Sequence, residues 1–88
     1  MEKTETPQTR EQILKSAYEA RIQEVMHYQI NIDNYSLALE QIRELPPQDR
    51  TELASFSDQL SSLLASELLE QKKSKIMLKV LEQQLAKG

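Results

Sequence analysis

Three sets of side chains in this sequence are able to do chemistry: the single histidine His27, the tyrosines Tyr18, Tyr28 and Tyr35, and the lysines Lys72, Lys73, Lys75 and Lys79. An imidazole becomes a catalyst or a metal ligand when a second ligand or an orienting carboxylate accompanies it. His27 has no cysteine, no second histidine and no paired carboxylate nearby, so it reads as a surface histidine. The tyrosines could stack on nucleobases only if their rings were exposed, and all three fall on a packing stripe instead. Lys72, Lys75 and Lys79 share a helix face at i, i+3 and i+7, a spacing that could grip phosphates. The simpler reading of that face is solvated and paired with Glu67, Glu70 and Glu82. There is no glycine-rich phosphate loop, metal-ligand set or nucleophile–base pair. The sequence therefore predicts no enzyme, no catalytic residue, no metal and no cofactor.

The elements that carry these residues follow from composition. Eighty-eight residues make at most one domain, and so short a chain buries little unless it dimerises or docks on something larger. Glycine occurs once, at Gly88, and Leu, Gln, Glu, Lys, Ala and Ser dominate, which is the bias of long helices. Residues 1–45 carry eight acidic against five basic side chains, whereas residues 46–88 balance. A net charge of −3 makes the whole chain a poor general nucleic-acid coat, because phosphate neutralisation drives that affinity. No signal-peptide pattern or membrane-length apolar run is present and cysteine is absent, so the expectation is a soluble cytoplasmic protein that does not engage a membrane.

Leu14, Tyr18, Val25, Tyr28, Ile32, Tyr35, Leu39 and Ile42 recur at alternating spacings of four and three, interrupted only by Arg21. That is the seam of a helix packed lengthwise on another. The stretch His27–Tyr35 alternates like a strand, with Tyr28, Ile30 and Ile32 apolar, yet the seam stays in phase across it, so helix is predicted throughout. The helix should start between residues 7 and 10, from Thr6–Pro7 or from Thr9 with Gln12 in capping-box spacing. Pro46 and Pro47 stop it and make a short corner, after which Asp49 with Glu52 reads as a second capping box.

The second helix is less regular. Leu53, Phe56, Leu60, Leu63, Leu64, Leu68 and Leu69 form a broad apolar face, residues 70–75 add nothing apolar, and Ile76, Met77, Leu78, Val80, Leu81 and Leu85 resume it. With no Gly or Pro to break it, a continuous helix is expected. The fold class predicted is all-α: a long antiparallel, coiled-coil-like helical hairpin over 1–88, with helix 1 about 8–45, a corner at 46–47 and helix 2 about 49–86, dimerising into a four-helix bundle. Each arm would be roughly 55 Å long.

Removing the seam from helix 1 leaves Ile22, Met26, Ile30 and Leu37 on its flanks and back. Helix 2 has a similar excess, and a helix apolar on two sides is usually buried on two sides. Either a second copy covers these residues or another protein docks there. The docking patch would be Met26, Ile30 and Leu37 flanked by His27, Asp33 and Asn34, with Met26 supplying adaptable contact.

The segment Arg21–Asp33 resembles the last helix of the phage-encoded Gam family of host-nuclease inhibitors, through His27, Gln29, Ile32 and Asp33 and similar residues at Ile22, Val25, Ile30 and Asn31. The resemblance implies a dimeric helical protein, encoded by a phage and working in the host cytoplasm, whose partner is the bacterial nuclease-helicase RecBCD. Helix 2, rich in Leu and Lys, departs from that family, so binding as a modulator through helix 1 fits better than DNA mimicry. Two other readings compete: a nucleic-acid-binding hairpin dimer, resembling the small RNA-binding Rop bundle in architecture, with Lys72, Lys75 and Lys79 on phosphates; and a structural coiled-coil adaptor subunit.

Overall fold

The computed structural model describes residues 8–87. It consists of a helical hairpin: α1 spans Arg10–Arg43, α2 Pro47–Glu52 and α3 Ala54–Lys87. α1 starts as a reciprocal capping box. The Gln12 amide donates to Thr9 Oγ1 at 3.1 Å, and the Thr9 amide donates to Gln12 Oε1 at 2.9 Å, satisfying two groups that a helix start leaves open. The alternative start at Thr6–Pro7 lies outside the described residues. Helix runs unbroken through His27–Tyr35, as the seam's phase requires.

α1 ends at Arg43, before the two prolines. Pro46 occupies an extended conformation, with φ −58° and ψ 154°, and Pro47 begins α2, where its missing N–H costs nothing. The corner therefore differs from the expected one: the short helix starts at Pro47, no side chain caps it, and Asp49 sits inside its first turn and not at a cap. Leu53, at φ −100° and ψ 12°, then offsets α2 from α3. The Thr51 hydroxyl donates to the Pro47 carbonyl at 3.0 Å, a local bond that competes with regular helix geometry at this offset. Hydrogen bonds Leu53 N to Asp49 O and Ser57 N to Leu53 O carry the chain across it.

α1 and α3 run antiparallel, as three pairings along their length show. Arg10 Nη2 donates to Gln84 Oε1 at 2.9 Å near the open end, Ser74 Oγ to Glu24 Oε1 at 2.7 Å in the middle, and Asn31 Nδ2 to Glu67 Oε1 at 2.6 Å towards the corner. All of the expected α1 seam residues are buried or half-buried, and Arg21, the interruption, is half-buried in line with them. The α3 seam is as regular as that of α1: Leu53, Ser57, Leu60, Leu64, Glu67, Gln71, Ser74, Leu78, Leu81 and Leu85, again at spacings of four and three. The seam continues through residues 70–75 on polar side chains. Ser74, at 2 % exposure, and Gln71, at 6 %, are as deeply placed as Leu60 at 5 %.

The broad apolar face expected of helix 2 is thus corrected. Leu53, Leu60 and Leu64 face α1, whereas Phe56, Leu63, Leu68 and Leu69 are exposed, because the seam is two residues wide and these lie beside or behind it. The hairpin is a thin rod. Its radius of gyration is 20.3 Å, against about 12 Å for a compact chain of this length. Among the described residues no helix is long and apolar enough to cross a membrane.

Candidate functional site

Among the described residues ten large apolar side chains are exposed, while Ile32, Ile42 and Leu60 are the buried hydrophobic residues. The exposed ones fall into separate regions. On α1, Ile13 stands apart near the open end, while Met26, Ile30 and Leu37 lie on the side away from α3; Ile30 and Leu37 are one heptad apart, directly opposite the seam, and Met26 is one turn before Ile30. His27 and Asn34 border this line on one side and Asp33 on the other, and all three are exposed. The six residues of the expected patch therefore share one contiguous outer face of about three turns, roughly 17 Å long. Gln29 Nε2 donates to Asp33 Oδ1 at 3.0 Å, which fixes the Asp33 carboxylate at the edge of the patch. Ile22 is half-buried and does not belong to it.

On α3 the exposed set is Phe56, Leu63, Leu68, Leu69, Ile76 and Met77. Phe56, Leu63, Glu70 and Met77 follow each other at seven-residue intervals along one flank, with Leu69 and Ile76 just behind. Leu68 stands alone on the opposite flank, among Lys72, Lys75 and Lys79. Those three lysines are exposed, and among the described residues none has an ion pair. The expected acidic partners are otherwise engaged: Glu67 accepts from Asn31, Glu82 from the Tyr18 hydroxyl at 3.2 Å, and Glu70 pairs with Lys73 at 3.0 Å. The structure so brings Lys72, Lys75 and Lys79 together on one unpaired face, and separates them from the α1 patch residues Ile30 and Leu37, which lie behind α1.

The middle of the seam holds the molecule's polar network. Glu24 Oε1 accepts from both Ser74 Oγ and Arg21 Nη1, each at 2.7 Å, and these two bonds hold its carboxyl below the usual carboxylate range. Gln71 Nε2 donates to Gln29 Oε1 at 2.9 Å and to the Val25 carbonyl at 3.3 Å. Tyr28 is pushed up by desolvation and by the nearby carboxylates Glu24, Glu70 and Glu67; Tyr18 is pushed up chiefly by its hydrogen bond to Glu82. The Ser74 hydroxyl is sealed in the seam, where it donates to Glu24. Among the described residues no group of three or more His, Asp or Glu is placed to hold a metal ion.

Sequence reasoning missed Glu67, Gln71 and Ser74 as seam residues and the Phe56–Leu63–Met77 line as a flank. The signal for both was the unbroken spacing from Leu53 to Leu85, hidden because polar residues occupy Ser57, Glu67, Gln71 and Ser74. Comparison with protein-family models, with curated proteins and with solved structures finds no match for this chain.

Proposed function

We propose that this protein is a non-enzymatic protein-binding module that engages another protein through the outer face of α1. The observation that carries this reading is the exposure of Ile30 and Leu37, 53 % and 56 %, on the side of α1 farthest from its packing partner. Side chains of this size opposite the seam add nothing to the hairpin, and with Met26 they form a helix face suited to an apolar groove on a partner. His27, Asp33 and Asn34 supply the polar rim that fixes orientation.

The resemblance to the Gam family directs the choice of first partner, the RecBCD nuclease-helicase. Three of the four residues that carry it, His27, Gln29 and Asp33, are exposed on α1, and Ile32 is buried in the seam. The module is then a modulator acting on that enzyme in the host cytoplasm, with a second copy on its α3 flank.

Ile30→Asp tests the reading. Tagged protein is used to recover partners from nuclease-treated bacterial lysate, alongside circular dichroism of the variant. The expected outcome is loss of a specific protein partner with helicity unchanged; unfolding of the variant would place Ile30 in the core and overturn the assignment of the face.

One observation favours a second reading. The unpaired Lys72, Lys75 and Lys79 present three ammonium groups on one helix face, suited to phosphates of a nucleic acid in a Rop-like arrangement. Replacing all three by glutamine removes salt-dependent nucleic-acid binding if that reading is right; retention of binding eliminates it.

A further inference from the structure

The α3 flank and the α1 patch differ in what surrounds them, and the α3 flank carries the signs of self-association. Phe56, Leu63, Glu70 and Met77 stand at seven-residue intervals, an apolar line interrupted once by a carboxylate, with Leu69 and Ile76 beside it. On the neighbouring α1 surface the small residues Ala17 and Ala20, with Arg21 and Glu24, line an open hollow of about 230 Å³. Ser74 reaches Glu24 across the seam, and Met77 lies one turn beyond Ser74 towards the open end, which puts Met77 on α3 at the level of that hollow, whose lining is all from α1. A large ring, Phe56, therefore sits near one end of the face and a hollow near the other. Their separation along α3, from Phe56 to the level of Met77, is roughly 31 Å.

We propose that a second copy of this chain covers this face, antiparallel and related by a twofold axis near residues 66–67 of α3. Each Phe56 then seats beside the partner's Met77 in the partner's Ala17–Ala20 hollow. The inference rests on the reading that the exposed apolar residues are interfaces, and it assigns the α3 flank to self-association while leaving the outer face of α1 to the other protein.

Three observations support a copy of this chain as the occupant. The first is shape: large meets small only when two copies run in opposite directions, because in a parallel pair Phe56 would meet Phe56 and hollow would meet hollow. The hollow has room for the ring, since a cavity of ~150 Å³ accommodates benzene. The second is charge. The two carboxylates on this face are already neutralised within the chain, Glu24 by Arg21 and Glu70 by Lys73, so covering them strands no lone charge. The third is area: the axis overlays residues 54–79 of the two α3 helices, and a face two helices wide over that length offers roughly 800 Å² per copy, the area that each partner contributes to a standard stable interface.

The chain has no cysteine, so single cysteines report contacts without background. Phe56→Cys and Met77→Cys proteins are prepared separately, then each alone and the two mixed are oxidised. A disulfide needs Cα atoms within about 7 Å, and an antiparallel pair brings residue 56 of one copy only to residue 77 of the other. The mixture is expected to yield a cross-linked species of twice the 10.2 kDa chain mass, and neither protein alone should do so. Cross-linking of Phe56→Cys with itself would mean a parallel pair and overturn the proposal. So would a wild-type mass of one chain by sedimentation at every concentration up to the millimolar range.

Phe56→Asp is expected to raise the dimer Kd at least 100-fold with helicity retained, because two apolar anchors are lost per dimer. Should that variant unfold, Ala20→Arg, a change at an exposed α1 position that fills the hollow, is expected to give the same loss; a dimer that survives it overturns the proposal. Ile30→Asp leaves the dimer mass unchanged, so failure of partner binding through α1 and failure of self-association are read separately.

Discussion

The seam of this hairpin has two regions of opposite character. Towards the corner, Ile32, Ile42 and Leu60 are buried, with Tyr35, Leu39 and Leu64 packed between them, and the two helices are held by exclusion of apolar surface from water. In the middle, the same geometric positions are filled by Arg21, Gln71 and Ser74: Gln71 and Ser74 reach across to Gln29, the Val25 carbonyl and Glu24, and Arg21 pairs with Glu24 within α1, while the Asn31–Glu67 bond marks the border with the apolar end. Each polar side chain has a partner, and among the described residues no buried side-chain nitrogen or oxygen lacks one. The difference teaches that backbone register and energetic worth are separate properties of a seam. Hydrophobic contact is non-directional, so an apolar seam tolerates sliding, whereas Gln71 and Ser74 find their acceptors in only one register. The corner end supplies stability and the middle supplies alignment.

The largest effect that can break this contrast is removal of an apolar anchor. Leu60→Ala is expected to cost about 2–4 kcal/mol, since it empties one of the few fully covered positions. Urea unfolding followed by circular dichroism measures it, and a cost under about 1 kcal/mol would show that the corner end is not the stabilising half. A smaller effect of opposite sign is expected in the middle. Gln71→Leu replaces hydrogen bonds that merely exchange for those with water by apolar burial, and should gain about 1 kcal/mol while loosening the register. A loss of stability at Gln71→Leu would mean that the polar network is itself the chief support of the middle.

Local opening sharpens the comparison further. Amide hydrogen exchange should be faster for residues 21–28 and 67–74 than for residues 35–42 and 57–64, because fewer apolar contacts resist opening there. Equal protection along the rod would make the hairpin one cooperative unit.

The smallest effects are those of pH. The Glu24 carboxyl is held low when folded, so its stabilisation is complete above its unfolded value of about 4.3 and disappears as pH falls through the lower folded value. Glu24→Gln should flatten this acid dependence. Tyr18 and Tyr28 are raised, so their contribution is present below about pH 10 and is lost as pH rises from there through the higher folded values. Acid melting that is unchanged in Glu24→Gln would remove the seam's middle as the acid-sensitive part.

Much of the helical hairpin was legible in the residues. The α1 seam, the Thr9–Gln12 start and the stop before the two prolines each follow from a short-range rule in which side-chain type dictates backbone geometry, and each is found, although Pro47 belongs to a short helix and not to the corner. The outer patch on α1 was legible for the same reason: once the seam positions are subtracted, Met26, Ile30 and Leu37 have no place left inside the hairpin. The α3 seam was not legible, because periodicity arguments look for apolar residues and this seam runs through Gln71 and Ser74. Whether Ser74 faces water or the partner helix depends on whether a Glu24 stands opposite to accept its hydrogen bond, and that is a relation between residues fifty positions apart. The Asp49 cap failed for a related reason. Pro47 already fits the first helical position, so the short helix begins two residues earlier and leaves Asp49 inside the turn.

The sequence by itself therefore determined the two long helices, the capped start of α1, the antiparallel return and the apolar excess, since these depend on local geometry and on the periodicity of side chains about a single axis. Only the tertiary structure decided which polar groups are buried, which leucines of α3 face outward, and that Phe56 and the Ala17–Ala20 hollow lie on one face about 31 Å apart. Those features are set by the axial alignment of two rods, and a hydrophobic pattern read along one chain specifies the phase of each rod without specifying how far one slides along the other.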